Sequence, residues 1–340
     1  MDVFSPKERL LRTLQKQGVE RPPVICPGGM MNSAIVDIMK KTGHILPDAH
    51  KTPELMTELA SDVKEYTGFE NFGVPFCLTV EAEVLGSEIN FGSLECEPKI
   101  QKEVFPSVDK VEFLPLGTMS KAPRVGAVVN TIYNLSKRNP ELATVASLTG
   151  ALSTSGSLVD PMTFLKQLRR DRENSHKVIN YVSEHLIEYA RLMVDNGASV
   201  ISIADPTATG EILGPKMFEE YAVTYLNKVI DAIHEMGVPV IVHICGKMES
   251  VKPQIAKLHG DAISVDAFVN LKDIKKEIPT ATTMGNLSTI LLEFGDPEKV
   301  EKRAEHLLND NIDILAPACG LSTSTPLENI QAFTGTVKGR

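Results

Sequence analysis

The sequence predicts a closed (β/α)8 barrel, an α/β fold of eight parallel strands ringed by helices. Three observations predict it. Short β-branched runs alternate with amphipathic segments from residue 140 onward. The runs read as near-continuous apolar stretches, as in Val238-Pro239-Val240-Ile241-Val242, the pattern of parallel strands covered on both faces. The candidate strands number eight, the count at which such an alternation closes into a barrel.

Taken in order, the chain opens on Ser5-Pro6-Lys7-Glu8, a capping box with Pro at the first helical position. A helix is expected from Pro6 to about Gln17, stopped by Gly18, so residues 1–20 form an N-terminal helical segment. Strands follow at 24–26 and 71–74. Residues 76–139 interrupt the alternation between the second and third strands. Their glycines, short β-like runs and many charges read as an insertion over the barrel mouth or side. Six further strands are expected at 144–148, 199–204, 239–244, 262–265, 282–284 and 313–316. Helices are expected between them at 175–196, 215–236, 248–258, 271–277 and 297–309. The helix at 215–236 starts on Pro215, repeats apolar residues at Phe218, Tyr221, Ala222, Tyr225, Val229 and Ile233, and ends at Gly237. No solenoid-period repeat and no linker tract divides the chain, so residues 1–340 read as one barrel domain.

Composition narrows the function. The 340 residues carry 35 basic and 44 acidic side chains, a net charge of −9, which argues against nucleic-acid or anionic-membrane partners. The longest uncharged stretch, 142–159, has seven Ser or Thr among its 18 residues, so a membrane span is not expected. Five cysteines, at 26, 77, 96, 245 and 319, are odd in number and widely spaced. The chain opens without a signal-peptide pattern. This reads as a reduced, cytoplasmic protein whose cysteines are buried small hydrophobes or ligands.

In such barrels the active site lies at the carboxyl ends of the strands. His243 and Cys245 are two apart on one strand, so their side chains share a side. Cys319 follows the last strand, across the mouth. One imidazole and two thiolates suit zinc, and three ligands with an open fourth position is the catalytic arrangement. The alternative reading is a core histidine and buried cysteines with no metal. A zinc with two thiolates is a poor Lewis acid for carbonyls. It still holds an incoming thiol as thiolate, below the free value of about 8.5, which points to alkyl transfer onto sulfur.

The motifs now reached resemble the uroporphyrinogen decarboxylase superfamily, and within it the zinc-containing, cobalamin-dependent methyltransferases that methylate coenzyme M. The likeness spans almost the whole chain. It is carried by Arg21-Pro22-Pro23-Val24, Thr52-Pro53-Glu54-Leu55-Met56, Val84-Leu85-Gly86, His243-Ile244-Cys245-Gly246, Ile263-Ser264-Val265-Asp266, Gly285-Asn286-Leu287 and Ala316-Pro317-Ala318-Cys319-Gly320. Thr325-Pro326-Leu327-Glu328-Asn329-Ile330 closes the series. Two departures separate the chain from the decarboxylases. Their Arg-rich loop after the first strand is here Cys26-Pro27-Gly28-Gly29-Met30-Met31-Asn32, without arginine, and Cys77 stands where they carry a catalytic Asp. A tetracarboxylate substrate is therefore not expected. The resemblance implies zinc on His243, Cys245 and Cys319, coenzyme M as thiol, and a methylcobamide presented by a separate small corrinoid protein. The thiolate would take methyl from Co(III) and leave Co(I). Two other readings stay open: a methyltransferase that loads Co(I) from a small methyl donor, and a corrinoid- or tetrapyrrole-binding barrel without thiol chemistry.

Supporting residues carry paired readings. Asp205 and Asp266 end strands near the metal, each as a fourth ligand, a partner for His243, or a helix cap or loop hydrogen bond. Gly28 and Gly29 offer N–H groups to an anion or form a tight rim turn. Met30 and Met31 form an apolar wall for the corrinoid or fill core. Asn286 is expected to point into the mouth. Cys26 and Cys77 are held in reserve near the mouth, and Cys96 is assigned no role.

Overall fold

A computed structural model describes residues 3–339 of the chain. Its main sheet has seven parallel strands: β1 (Asn71–Val74), β4 (Ala143–Thr149), β5 (Val200–Ala204), β6 (Val240–Ile244), β7 (Ala262–Val265), β8 (Thr283–Leu287) and β9 (Ile314–Pro317). Their spatial order follows chain order, β1-β4-β5-β6-β7-β8-β9. The short strands β2 (Glu88–Asn90) and β3 (Lys99–Lys102) form a separate antiparallel hairpin. The central strands are buried along their whole length, β4, β5 and β6 at every position. That burial on both faces explains the continuous apolar runs in the sequence.

The expected first strand is reduced to a single bridge, Val24 to Leu315 of β9. Backbone bonds close the β9 side, and side chains complete the β1 side. Leu315 and Ile25 exchange backbone bonds with the 23–25 segment and β9 (Leu315 N to Pro23 O, 2.9 Å; Ile25 N to Leu315 O, 3.0 Å). On the β1 side, Glu70 N donates to Val24 O at 2.9 Å. The Glu70 carboxylate accepts from Val24 N at 3.0 Å. The Asn71 amide accepts from Cys26 N and donates to Cys26 O, both at 2.9 Å. Proline at 22 and 23 removes two backbone donors, so a full ladder cannot form there, and carboxylate and amide stand in for it.

Beneath this seam lies an ionic clasp at the floor of the barrel. Glu70, 4 % exposed, accepts from Arg9 Nη1 at 2.8 Å and from Arg21 Nη2 at 2.7 Å. Arg9 also pairs with Glu20. The N-terminal helix, Pro6–Leu14, brings Arg9 there. It ends earlier than Gly18, because Lys16 already turns to φ +58°. Ser5 caps it by accepting from Glu8 N.

The insertion is shorter as an excursion than the sequence suggests. Helix Pro123–Arg138 packs on β1, β4 and helix Pro53–Thr67, so it is the crossover between neighbouring parallel strands. The remainder, 76–122, carries helix Val80–Val84, the β2–β3 hairpin and helix Thr118–Lys121. Arg124 pins it down: Nη1 pairs with Glu83, and Nη2 donates to Cys77 Sγ at 2.8 Å and Thr79 Oγ1 at 3.0 Å. The uncharged stretch 142–159 resolves into β4 and the buried helix Ala151–Leu158. Among the described residues no helix is long and apolar enough to cross a membrane. A short helical turn at 210–213 breaks at Gly214 (φ +67°, ψ 171°), so the helix expected at 215–236 does start on Pro215. It passes through a wide π-helical turn at Phe218–Val223 and continues as Thr224–Glu235.

Candidate metal centre

The parallel register builds the centre. His243 is the fourth residue of β6, and Cys245 lies just past the end of that strand. Cys319 follows β9. Among the described residues, the donor atoms of His243, Cys245 and Cys319 all lie within 4.8 Å of one another. His243 Nε2 is 3.2 Å from Cys245 Sγ, and the two sulfurs are 3.7 Å apart. His243 is fully buried; the cysteines are half-buried. The hydrogen bond between the sulfurs lowers the Cys319 thiol and raises that of Cys245, so the pair favours one thiolate beside one thiol.

A second residue orients the imidazole. Ser264 is the register partner of His243 on β7, and its Oγ lies 2.9 Å from His243 Nδ1. Ser264 Oγ in turn faces Met31 Sδ at 3.8 Å. With Ser264 donating to sulfur, its oxygen accepts from Nδ1–H and leaves the Nε2 lone pair directed at the cysteines. That is the tautomer a metal needs. The donor set of one imidazole and two sulfurs fits zinc.

The remaining sequence candidates fall into different places. Asp205 is fully buried and caps helix Ala151–Leu158: Oδ2 accepts from Leu152 N at 3.0 Å, and Oδ1 from Ser153 N at 3.0 Å and Ser153 Oγ at 2.6 Å. Burial pushes its carboxyl up to about 6, against the lowering by these donors. Asp266 braces the turn after Cys245, accepting from Gly246 N at 3.3 Å and from Phe268 N at 3.4 Å. Asn286 is buried and clips the same loop, donating to Asp266 O at 2.9 Å and Val269 O at 2.7 Å.

Gly28 and Gly29 form a rim turn whose N–H groups are engaged by backbone, Gly28 with Met31 O and Gly29 with Pro75 O. A side chain on Gly29 would meet Ser147 Cβ at 2.6 Å. Met30, at the tip of this turn, places Sδ 3.5 Å from Cys245 Sγ. Cys26 donates to Met31 O at 2.8 Å, and burial pushes its thiol up to about 12. Cys77 is buried on Arg124. Ser264 was not foreseen as a site residue. Its one sequence signal is its place on the strand after the H-x-C strand, two residues before Asp266.

A cavity of about 550 Å³ opens beside the cluster, lined by Met30, Leu78, Cys319 and Ile290 among others. Glu95, Glu97 and Glu293 also line it, and among the described lining residues there is no Lys or Arg. Cys96 sits in its wall. A larger cavity, about 770 Å³, lies at the floor near Lys16 and Thr282; its described lining holds no Cys or His, so it offers no comparable chemistry.

The barrel and its sulfur-rich mouth define a class of protein, and comparison places the chain within it. The chain belongs to the uroporphyrinogen decarboxylase (URO-D) family, whose profile matches residues 5–340. It is 33% identical to the methylcobamide:CoM methyltransferase MtbA of Methanosarcina acetivorans over 340 residues, covering 99% of each chain. It is 30% identical to the methylcobamide:CoM methyltransferase MtaA of Methanosarcina barkeri, covering 98% of this chain and 97% of that one. A solved methyltransferase from Methanosarcina mazei superposes with a TM-score of 0.92 at 30% identity over 99% of both chains.

Proposed function

We propose that the protein transfers a methyl group from a methylated corrinoid to the thiol of coenzyme M. The observation that carries this reading is the His243–Cys245–Cys319 cluster opening into a cavity large enough for a small thiol. The full-length likeness to methylcobamide:CoM methyltransferases supports it. In this reading His243, Cys245 and Cys319 hold zinc. Bound there, zinc supplies the positive charge that keeps a thiol deprotonated at neutral pH.

The chain's own residues do the rest. Ser264 fixes the imidazole tautomer, and Asp266 with Asn286 fixes the turn that carries Cys245. The cavity admits the thiol from the side of Cys319, while the strand ends align its sulfur toward the mouth. The methyl group passes to sulfur as a cation equivalent, and the cobalt–carbon electron pair stays on cobalt, taking Co(III) to Co(I). In this reading the corrinoid is presented by a separate small carrier protein.

The test is metal analysis together with methylcobalamin demethylation. Native protein is expected to hold one zinc and to convert methylcobalamin and coenzyme M to Co(I) and the methyl thioether. Cys319→Ala is expected to lose the metal, with transfer falling by more than about 100-fold. Protein that transfers methyl to coenzyme M at an undiminished rate after zinc is stripped, or that demethylates cobalamin with no thiol, would overturn the reading.

A further inference from the structure

We propose that Met30 is an internal plug of the metal centre: its thioether occupies the fourth position of the metal in the resting protein and is displaced by the incoming thiol. The inference rests on the metal reading above and extends it to a residue outside the His/Cys set.

Three protein donors leave one position of a tetrahedral ion open. Neither nearby carboxylate is turned toward it. The oxygens of Asp205 are held by the start of helix Ala151–Leu158, and those of Asp266 by Gly246 N and Phe268 N. Among the described residues, no carboxylate oxygen joins the cluster of donor atoms within 4.8 Å. One further soft donor touches the cluster. Met30 Sδ is 3.5 Å from Cys245 Sγ, and Met30 lines the same cavity as Cys319.

The turn that carries Met30 is built to hold it there. Gly28 and Met31 exchange backbone bonds, Gly28 N to Met31 O at 3.2 Å and Met31 N to Gly28 O at 2.9 Å. Gly29, at φ +60°, is wedged against Ser147. On the opposite side, a Cβ at Gly320 would come within 2.3 Å of Met30 O, so only glycine lets the turn after Cys319 close against Met30. The Gly28-Gly29 pair thus presents a side chain at its tip.

The chemistry matches. A thioether is soft enough for zinc, and it is neutral, so a thiolate displaces it readily. The Met30 side chain ends in CH3–S–CH2, the same group as the methylated product. A position that holds Met30 at rest is therefore shaped for the product sulfur. On exchange, the entering thiol gives its proton to solvent, its sulfur takes the position, and the Met30 thioether leaves unchanged. Water is kept from the metal until thiol arrives.

The test is zinc-edge X-ray absorption on full-length protein in which methionine is replaced by selenomethionine. One selenium per zinc is expected in the resting wild type. That shell should vanish in Met30→Leu and on adding coenzyme M to wild type. Met30→Leu should keep one zinc and bind coenzyme M several-fold more tightly by calorimetry, because no plug competes. A zinc-loaded wild type without a selenium shell overturns the inference alone, as does a shell that persists with coenzyme M bound. Wild type that holds no zinc overturns the proposed function with it.

Discussion

The two ends of this barrel hold charge in opposite ways. At the floor, Glu70 is enclosed by Arg9 and Arg21, hard ions in close hydrogen bonds, with the backbone of Val24 satisfied by the same carboxylate. At the mouth, His243, Cys245 and Cys319 face one another with a cavity alongside. The floor closes on itself: the carboxylate's bonds tie three segments distant in sequence. The mouth does not close, because two sulfurs 3.7 Å apart and an imidazole aimed at them satisfy each other poorly without a cation. Stability resides where donors and acceptors match, and chemistry where they are left mismatched. The same division separates the cysteines. Cys77 is paired with Arg124 and buried, whereas Cys319 faces the cavity.

This contrast can be broken by substitution. The largest effect is expected at the floor. Glu70→Ala leaves Arg9 and Arg21 buried without their shared carboxylate and should cost about 3–5 kcal/mol in denaturant unfolding. Zinc content and turnover per folded molecule should stay at wild-type values; a fall in either would join the two ends that the contrast separates.

The next effect concerns pH. Glu81 is buried, bound by Thr149 N at 2.8 Å and Thr149 Oγ1 at 3.0 Å, and neighbours Cys77 and Tyr189. Burial raises its carboxyl to about 7, above its ordinary value of 4.5. The folded state therefore binds a proton that the unfolded state has released. The associated stability is full below the unfolded value and is lost as pH rises through about 7, by up to about 3 kcal/mol. Glu81→Gln should flatten this part of the curve of unfolding free energy against pH. An unchanged slope would show that Glu81 is ionised when folded.

At the mouth, Ser264→Ala removes the acceptor for His243 Nδ1. Zinc affinity, measured by chelator competition, is expected to fall about 10–100-fold with little change in melting temperature. Equal zinc affinity would mean that packing alone orients the ring. The smallest effect is expected in the cavity wall. Glu97→Gln removes one of three carboxylates from a lining without described cations. It should lower KM for the anionic coenzyme M about two- to fivefold and leave KM for a neutral thiol such as 2-mercaptoethanol unchanged. If both thiols respond alike, the acidic wall acts by shape rather than charge.

Much of the fold was legible in the chain. The buried runs at 240–244 and 262–265 and the capped helices Leu271–Glu277 and Pro297–Asn309 follow from local pattern. The first strand was legible as a position in the ring but not as a side-chain-closed seam, since nothing local in Val24 shows that Glu70 and Asn71 will reach it. Helix Pro123–Arg138 read as part of the insertion because β1, the strand it follows in the crossover and packs against, ends far upstream at Val74, although β4 begins just after it at Ala143.

The site divides similarly. By itself the sequence determined the strand period that puts His243 and Cys245 on one side, the glycines that follow Cys245 and Cys319, and the absence of arginine between Cys26 and Asn32. These are one-dimensional facts, set by spacing and residue type. Only the tertiary structure decided that Ser264 orients His243, that Asp205 caps a helix, that Asp266 and Asn286 brace the Cys245 turn, and that Met30 meets Cys245 from 215 residues away. The reason is register. A one-residue slip between β6 and β7 would take Ser264 from His243, and the inter-strand hydrogen bonds that prevent the slip exist only once the barrel has closed.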